Sequence, residues 1–231
     1  MIGVLVALPR LYCIVDKGTL DARGVTVGPF ARELRDAGVT LVQYRDKTGG
    51  PQEILRGAAE ISEAYAGMDA VLIMNDRADL AGLAGWSGVH VGQGDLLPME
   101  AKAVVLRTIP HPATMEPSRG WVTGGGGLVG VSTHDEEQVR VADAGAADYV
   151  AVGPVFATST KLNAEPAVGL EGVRRARALT AKPLVAIGGI TLENVRSVIE
   201  AGADSVAIIG GLFVEGRTVG EVAGDFLEIL R

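Results

Sequence analysis

The segment DAGAADYVAVG, residues 143–153, carries the pattern on which the fold rests. It opens as the end of a helix at Asp143 and Ala144, passes through Gly145, and runs into the short apolar stretch Tyr149, Val150, Ala151 and Val152. A glycine just past a helix suits the left-handed C′ position, because it has no Cβ to clash there. The same order recurs in DAGVTLVQYR, residues 36–45, and in EAGADSVAIIG, residues 200–210. Helix end, glycine and apolar strand together form one half of a repeated strand–helix unit.

Strands of this kind number eight, near 11–15, 39–43, 70–74, 88–91, 127–131, 148–152, 183–187 and 204–209. Helical patterns fall between and after them, near 28–37, 52–66, 77–83, 98–103, 135–144, 171–178, 192–201 and 217–230. Eight alternating units of parallel-type strands predict an α/β fold, a single (β/α)8 TIM barrel spanning residues 1–231. A doubly wound sheet is the competing arrangement, but no G-x-G-x-x-G opens a helix after a strand. One interval is too long for such a fold. Residues 107–127 hold three prolines and end in four glycines, which predicts an inserted surface loop with Trp121 as an anchor and His111 solvated.

Composition agrees with a large core. Hydrophobic residues make up 48% of the 231, but aromatics only 4%, so Ala, Val, Leu and Ile must fill the interior. The formal net charge is -7, and no Lys/Arg cluster exceeds Arg174-Arg175, which excludes a nucleic-acid surface. No apolar run reaches transmembrane length, so no membrane partner is expected. The first residues, MIGVLVALPR, lack a basic start and read as the lead-in to the first strand. The single cysteine, Cys13, reads as a small buried thiol, in keeping with a cytoplasmic protein. Assembly with further copies of the chain is compatible with the sequence.

In a βα barrel the chemistry lies where strands end. Gln43, Arg45 and Lys47 follow the second strand; Asn75, Asp76 and Arg77 the third; His90, Gln93 and Asp95 the fourth; Ser132, Thr133 and His134 the fifth. The sixth strand runs through Gly153-Pro154 into Thr158, Ser159, Thr160 and Lys161, while glycine pairs follow the seventh and eighth. Arg45, Lys47 and Lys161 are cations able to hold a polyanion. Asp76 and Asp95, without His or Cys in ligand spacing, favour a hard cation such as Mg²⁺ completed by phosphate oxygens. The glycines, with Thr158 and Thr160, offer a second, uncharged phosphate site. Each residue also has a plainer role: Asp76 fits the N-cap of a helix, His90 a satisfied core histidine, His134 and Ser132 helix-start residues, and Arg45 and Lys47 surface partners of Asp46. It is their joint placement on one rim that argues for a site.

Seven stretches carry a family resemblance: VQYRDK (42–47), NDRADLA (75–81), GVHVGQGDL (88–96), GVSTH (130–134), ADYVAVGPVFATSTK (147–161), EPAVGL (165–170) and PLVAIGGI (183–190). In this order the chain resembles the thiamine-phosphate synthase family. The resemblance implies a transferase that joins hydroxymethylpyrimidine diphosphate to hydroxyethylthiazole phosphate with Mg²⁺ and releases pyrophosphate. It implies Gln43 and His90 beside the pyrimidine, with Tyr12 and Ile14 nearby. Arg45, Lys47, Asn75, Ser132 and Lys161 would face the diphosphate, Asp76 and Asp95 the Mg²⁺, and Thr158, Thr160 and Gly189 the thiazole phosphate. The chain departs from the family pattern at Gly210, where a serine is usual, at Asp46 in place of Glu, and over 107–127. A related thiazole tautomerase, or a phosphate-binding barrel without catalysis, are the competing readings. The first would not need Lys47, Asp76, Asp95 and Lys161 together.

Overall fold

A computed structural model describes residues 8–86, 88–108, 127–158 and 166–231. The chain alternates β1 (Leu11–Asp16), α1 (Lys17–Asp21), α2 (Val27–Asp36), β2 (Leu41–Arg45), α3 (Pro51–Ala64), β3 (Val71–Asn75), α4 (Ala78–Leu83) and β4 (Gly88–Val91). It continues through α5 (Pro98–Thr108), β5 (Leu128–Thr133), α6 (Glu136–Ala144), β6 (Tyr149–Val152), α7 (Gly169–Leu179), β7 (Leu184–Ile187), α8 (Val195–Glu200), β8 (Ser205–Ile208) and α9 (Val219–Ile229). Every neighbouring pair of strands is parallel, and β8 returns to β1, so the sheet closes into a barrel. The expected (β/α)8 TIM barrel is the fold.

Two packed layers explain the apolar strands. Successive side chains of a strand point to opposite faces. On β1, Leu11, Cys13 and Val15 face outward into the layer beneath the helices, with Phe30, Leu34 and Phe226 among its members. Tyr12 and Ile14 face inward and pack with Leu41, Ile73, Tyr149, Ala151, Val185 and Ala207 inside the barrel. Both faces are dry, which is why strict alternation of apolar and polar residues is missing from these strands. Cys13 is buried in the outer layer, as its apolar surroundings predicted. No helix of the described residues is long and apolar enough to cross a membrane.

Four local expectations need correction. Of the three repeated glycines, Gly38 and Gly202 have positive φ, 93° and 111°. Gly145 is extended instead, at φ -88°, and a Cβ there would lie 3.0 Å from the Val141 carbonyl oxygen, so a side chain would press on the last turn of α6. The helix expected over 98–103 runs to Thr108, because Ala101 and Val105, one turn apart, are both fully buried. Residues 107 and 108 are therefore helical, while 109–126, with His111 and Trp121, lie outside the described residues. The short α1 was not foreseen. Asp16 caps it, accepting from the Thr19 backbone N–H at 2.8 Å and the Thr19 hydroxyl at 2.6 Å, and Leu20 anchors it. Finally, Asp76 does not cap the helix after β3. Arg77 holds that position, and Asp76 sits in a γ-turn.

Candidate active site

A cavity of about 590 Å³ opens at the C-terminal ends of the strands. Its walls include Tyr12, Ile14, Gln43, Arg45, Lys47, Asn75, Asp76, His90, Asp95, Ser132, Thr158 and Gly189. These come from elements as far apart in sequence as β1 and β7, and the barrel brings them to one rim. Thr160 and Lys161 lie outside the described residues. A second, more open cavity adjoins it, lined among others by Asp16, Arg23, Arg45, Lys47, Thr158, Gly189, Gly210 and Gly211. Arg45, Lys47, Thr158 and Gly189 face both.

One wall is a compact cluster of charges. Lys47 is ion-paired to Asp76, and the Asp76 and Asp95 carboxylates are within hydrogen-bond reach of each other. Burial raises the Asp76 pKa; the Lys47 ammonium opposes this, and the Asp95 carboxylate adds to it. Asp95 is steered by its own loop, since its Oδ2 accepts the Gly92 backbone N–H at 2.8 Å. Asp76 has φ 60°, rare for a residue with a side chain, and is locked there by two backbone bonds. Its N–H donates to the His90 carbonyl at 2.7 Å, and the next N–H, of Arg77, donates back to the Asn75 carbonyl at 2.7 Å. That γ-turn throws the Asp76 carboxylate off the end of β3 toward Asp95. Two carboxylates held together, one with a raised pKa, fit a divalent cation. Among the described residues no third His, Cys, Asp or Glu joins them, so a cation here would take its other oxygens from ligand and water.

Arg45 is held by Asp16 at the end of β1, and Asp16 is nearly buried, so the guanidinium is tethered between the two cavities. Asn75 lines the cavity, and its Nδ2 is buried without a partner among the described residues. Opposite the charges, Gly188 and Gly189 have φ of 103° and 65°. A Cβ on Gly189 would fall 2.6 Å from the Ala157 carbonyl oxygen, so only glycine lets the loop after β7 lie against the loop after β6. Backbone approaches the cavity there without side chains in the way.

The floor is a buried polar chain. Gln43 Nε2 donates to the Tyr12 hydroxyl at 2.6 Å, which lies 3.1 Å from the Tyr149 hydroxyl. Tyr149 in turn meets His90 Nδ1 at 2.9 Å, and His90 Nε2 meets Ser132 Oγ at 2.9 Å. Burial lowers the His90 pKa to about 4, outweighing the pull of the Asp95 carboxylate, so the ring is neutral at pH 7.

Comparison with known proteins decides the family. The sequence profile described as thiamine monophosphate synthase matches residues 11–109 and 120–212. The chain belongs to this family. Its members are transferases of thiamine biosynthesis. The chain is 49% identical to the thiamine-phosphate synthase of Koribacter versatilis over 96% of each chain. It is 39% identical to that of Methanoregula boonei over 87% of this chain and 84% of the other. Among solved structures, the thiamine phosphate pyrophosphorylase of Pyrococcus furiosus superposes with TM-score 0.76 at 26% identity, covering 96% and 95% of the two chains.

Each described residue to which the resemblance gives a ligand lines the first cavity, whereas Arg77 and Thr133, also named at strand ends, do not: Arg77 pairs with Asp79 and the Thr133 hydroxyl donates to the Ala151 carbonyl, while Gly210 and Gly211 line the second cavity. Three contributors were missed. Tyr149 reads as an ordinary apolar strand residue, and only its inward face reveals the hydroxyl. Asp16 lies one residue past the strand expected over 11–15 and carries no local signal of its partner Arg45. His134, taken for a helix-start residue, instead lines the cavity and holds the Gly153 carbonyl through Nδ1 at 2.6 Å, while Asp135 caps α6. His90 is the satisfied core histidine that its apolar strand suggested, and it also borders the cavity.

Proposed function

We propose that this transferase joins hydroxymethylpyrimidine diphosphate to hydroxyethylthiazole phosphate, giving thiamine phosphate and pyrophosphate, in the cytoplasm. The observation that carries the reading is the wall where Arg45, Lys47, Asp76 and Asp95 face a cavity floored by Gln43 and His90. Such a wall suits a diphosphate bound beside a flat heterocycle. The glycine turn after β7 suits a second phosphate on the far side.

Asp76 and Asp95 would hold Mg²⁺ together with the diphosphate. When bound, Mg²⁺ neutralises negative charge on the leaving group. Arg45, tethered by Asp16, Lys47, and the donors Asn75 and Ser132 lie where they stabilise charge as it gathers on the departing oxygens. The C–O bond at the pyrimidine methylene breaks first and its electron pair leaves with diphosphate. The electron-rich aminopyrimidine, set by Gln43 with Tyr12 and Ile14 beneath, carries the resulting positive charge. The thiazole nitrogen, positioned by its phosphate at Gly189, Thr158 and Thr160, then supplies the pair for the new C–N bond. Lys161 would join the cations on the diphosphate. No side chain need act as nucleophile, which agrees with His90 being neutral and enclosed.

A direct assay of thiamine phosphate and pyrophosphate formation from the two substrates, with and without Mg²⁺, tests this. Stoichiometric release of both products only with the metal is the expected result. Turnover of a thiazole phosphate alone, by isomerisation, would refute it.

A further inference from the structure

The floor of the cavity has a hydrogen-bond direction that can be worked out by counting protons. Gln43 Nε2 donates to the Tyr12 hydroxyl, so Tyr12 accepts there and its own proton needs another acceptor. Among the described residues the Tyr149 hydroxyl is the one it reaches. Tyr149 therefore accepts from Tyr12, and its proton goes to its other neighbour, His90 Nδ1. A neutral imidazole that accepts at Nδ1 carries its proton on Nε2. That N–H donates to Ser132 Oγ. The Ser132 hydroxyl proton is left over, and Ser132 lines the cavity. The opposite direction would leave the Tyr12 proton buried without an acceptor, an arrangement folded proteins avoid.

We propose that Tyr149 is a positioning residue: it fixes His90 as the Nε2–H tautomer and thereby turns the Ser132 hydroxyl proton into the cavity before any ligand arrives. The hub has a built seat. Tyr149 stands over Gly130 on the neighbouring strand, where a Cβ would run into its ring. It also packs against both partners, edge-on to Tyr12 with centroids 6.2 Å apart and stacked on His90 at 5.5 Å. An outward hydroxyl proton suits an anionic oxygen. On the proposed reaction, on which this consequence rests, that oxygen belongs to the departing diphosphate, and a donor aimed in advance costs no reorientation during bond breaking.

NMR of ¹⁵N-histidine-labelled protein tests the tautomer without substrate. The chain has only three histidines, so His90 is assigned by the signal lost in His90→Gln. The wild-type ring is expected to show a protonated Nε2 and a bare Nδ1, and Tyr149→Phe to shift it toward the Nδ1–H form. A protonated Nδ1 in the wild type overturns the proposal and requires no variant to fold. An unchanged Nε2–H ring in folded Tyr149→Phe removes Tyr149 from the role. Kinetics add the consequence: Tyr149→Phe should lower kcat roughly 10- to 100-fold with little change in KM for the pyrimidine diphosphate. In a Ser132→Ala background the same change should cost less than about threefold, because the two act as one unit. Fully additive losses would show that Tyr149 does not work through Ser132. The tautomer measurement stands whatever reaction the enzyme proves to catalyse.

Discussion

Asp76 concentrates two costs in one residue: a left-handed backbone and a half-buried carboxylate beside another carboxylate. Neither helps the fold, so both point to function. Replacing it separates them. Asp76→Gly relieves the backbone and should stabilise the protein by about 1 kcal/mol in urea unfolding, whereas Asp76→Ala keeps the unfavourable φ. Both should lose Mg²⁺-dependent turnover by at least roughly 100-fold. Equal stabilities for the two variants would show that the turn is not strained. His90 gives a pH prediction. Its folded pKa of about 4 lies below the ordinary histidine value, so between those limits the unfolded chain binds the extra proton. Its contribution is fully present above pH 6.5 and is lost as pH falls toward 4, by up to about 3 kcal/mol. The stability gap between wild type and His90→Gln should therefore narrow over that range. A gap independent of pH would mean that the ring is not held neutral.

At the level of elements, strands and most helices could be read from the chain because their signals are long and local. The glycine-then-strand unit needs no tertiary information, and the strand ends name most of the cavity wall. What escaped had short or non-local causes. The five-residue α1 has no room for a helical period to appear, and it exists because Asp16 caps it. The fate of the Asp16 carboxylate depends on Arg45 of the neighbouring strand, 29 residues away. The Tyr149 hydroxyl meets partners on β1 and β4 that no window of sequence contains. Asp16 therefore serves both an element and the site, and two substitutions divide its work. Asp16→Asn keeps an acceptor for the Thr19 N–H but releases Arg45, so turnover should fall roughly tenfold with the helix intact. Asp16→Ala should lose the same activity and about 1 kcal/mol of stability besides. Normal turnover in Asp16→Asn would show that Arg45 needs no tether.

For the whole molecule, closure of the barrel brings the described residues that line the cavity to one end and leaves the other end to connections. Residues 109–127 join α5 to the start of β5, and both described flanks belong to that opposite end. The family profile passes over residues 110–119. Deleting Pro110 to Gly124 should leave turnover and Mg²⁺ dependence within about twofold, since shortening such a connection costs little loop entropy. A folded deletion that no longer bound diphosphate would contradict that placement. The enclosed polar floor has an optical counterpart. All four tyrosines of the chain, Tyr12, Tyr44, Tyr65 and Tyr149, have phenol pKa values raised by burial. An unfolded chain gives up those protons near pH 10, the folded chain does not, so alkali drives unfolding and tyrosinate absorbance near 295 nm should rise in a single step with loss of structure. The native enzyme in alkali would thus be spectroscopically silent until it opens, and its own phenols would report the moment the barrel does.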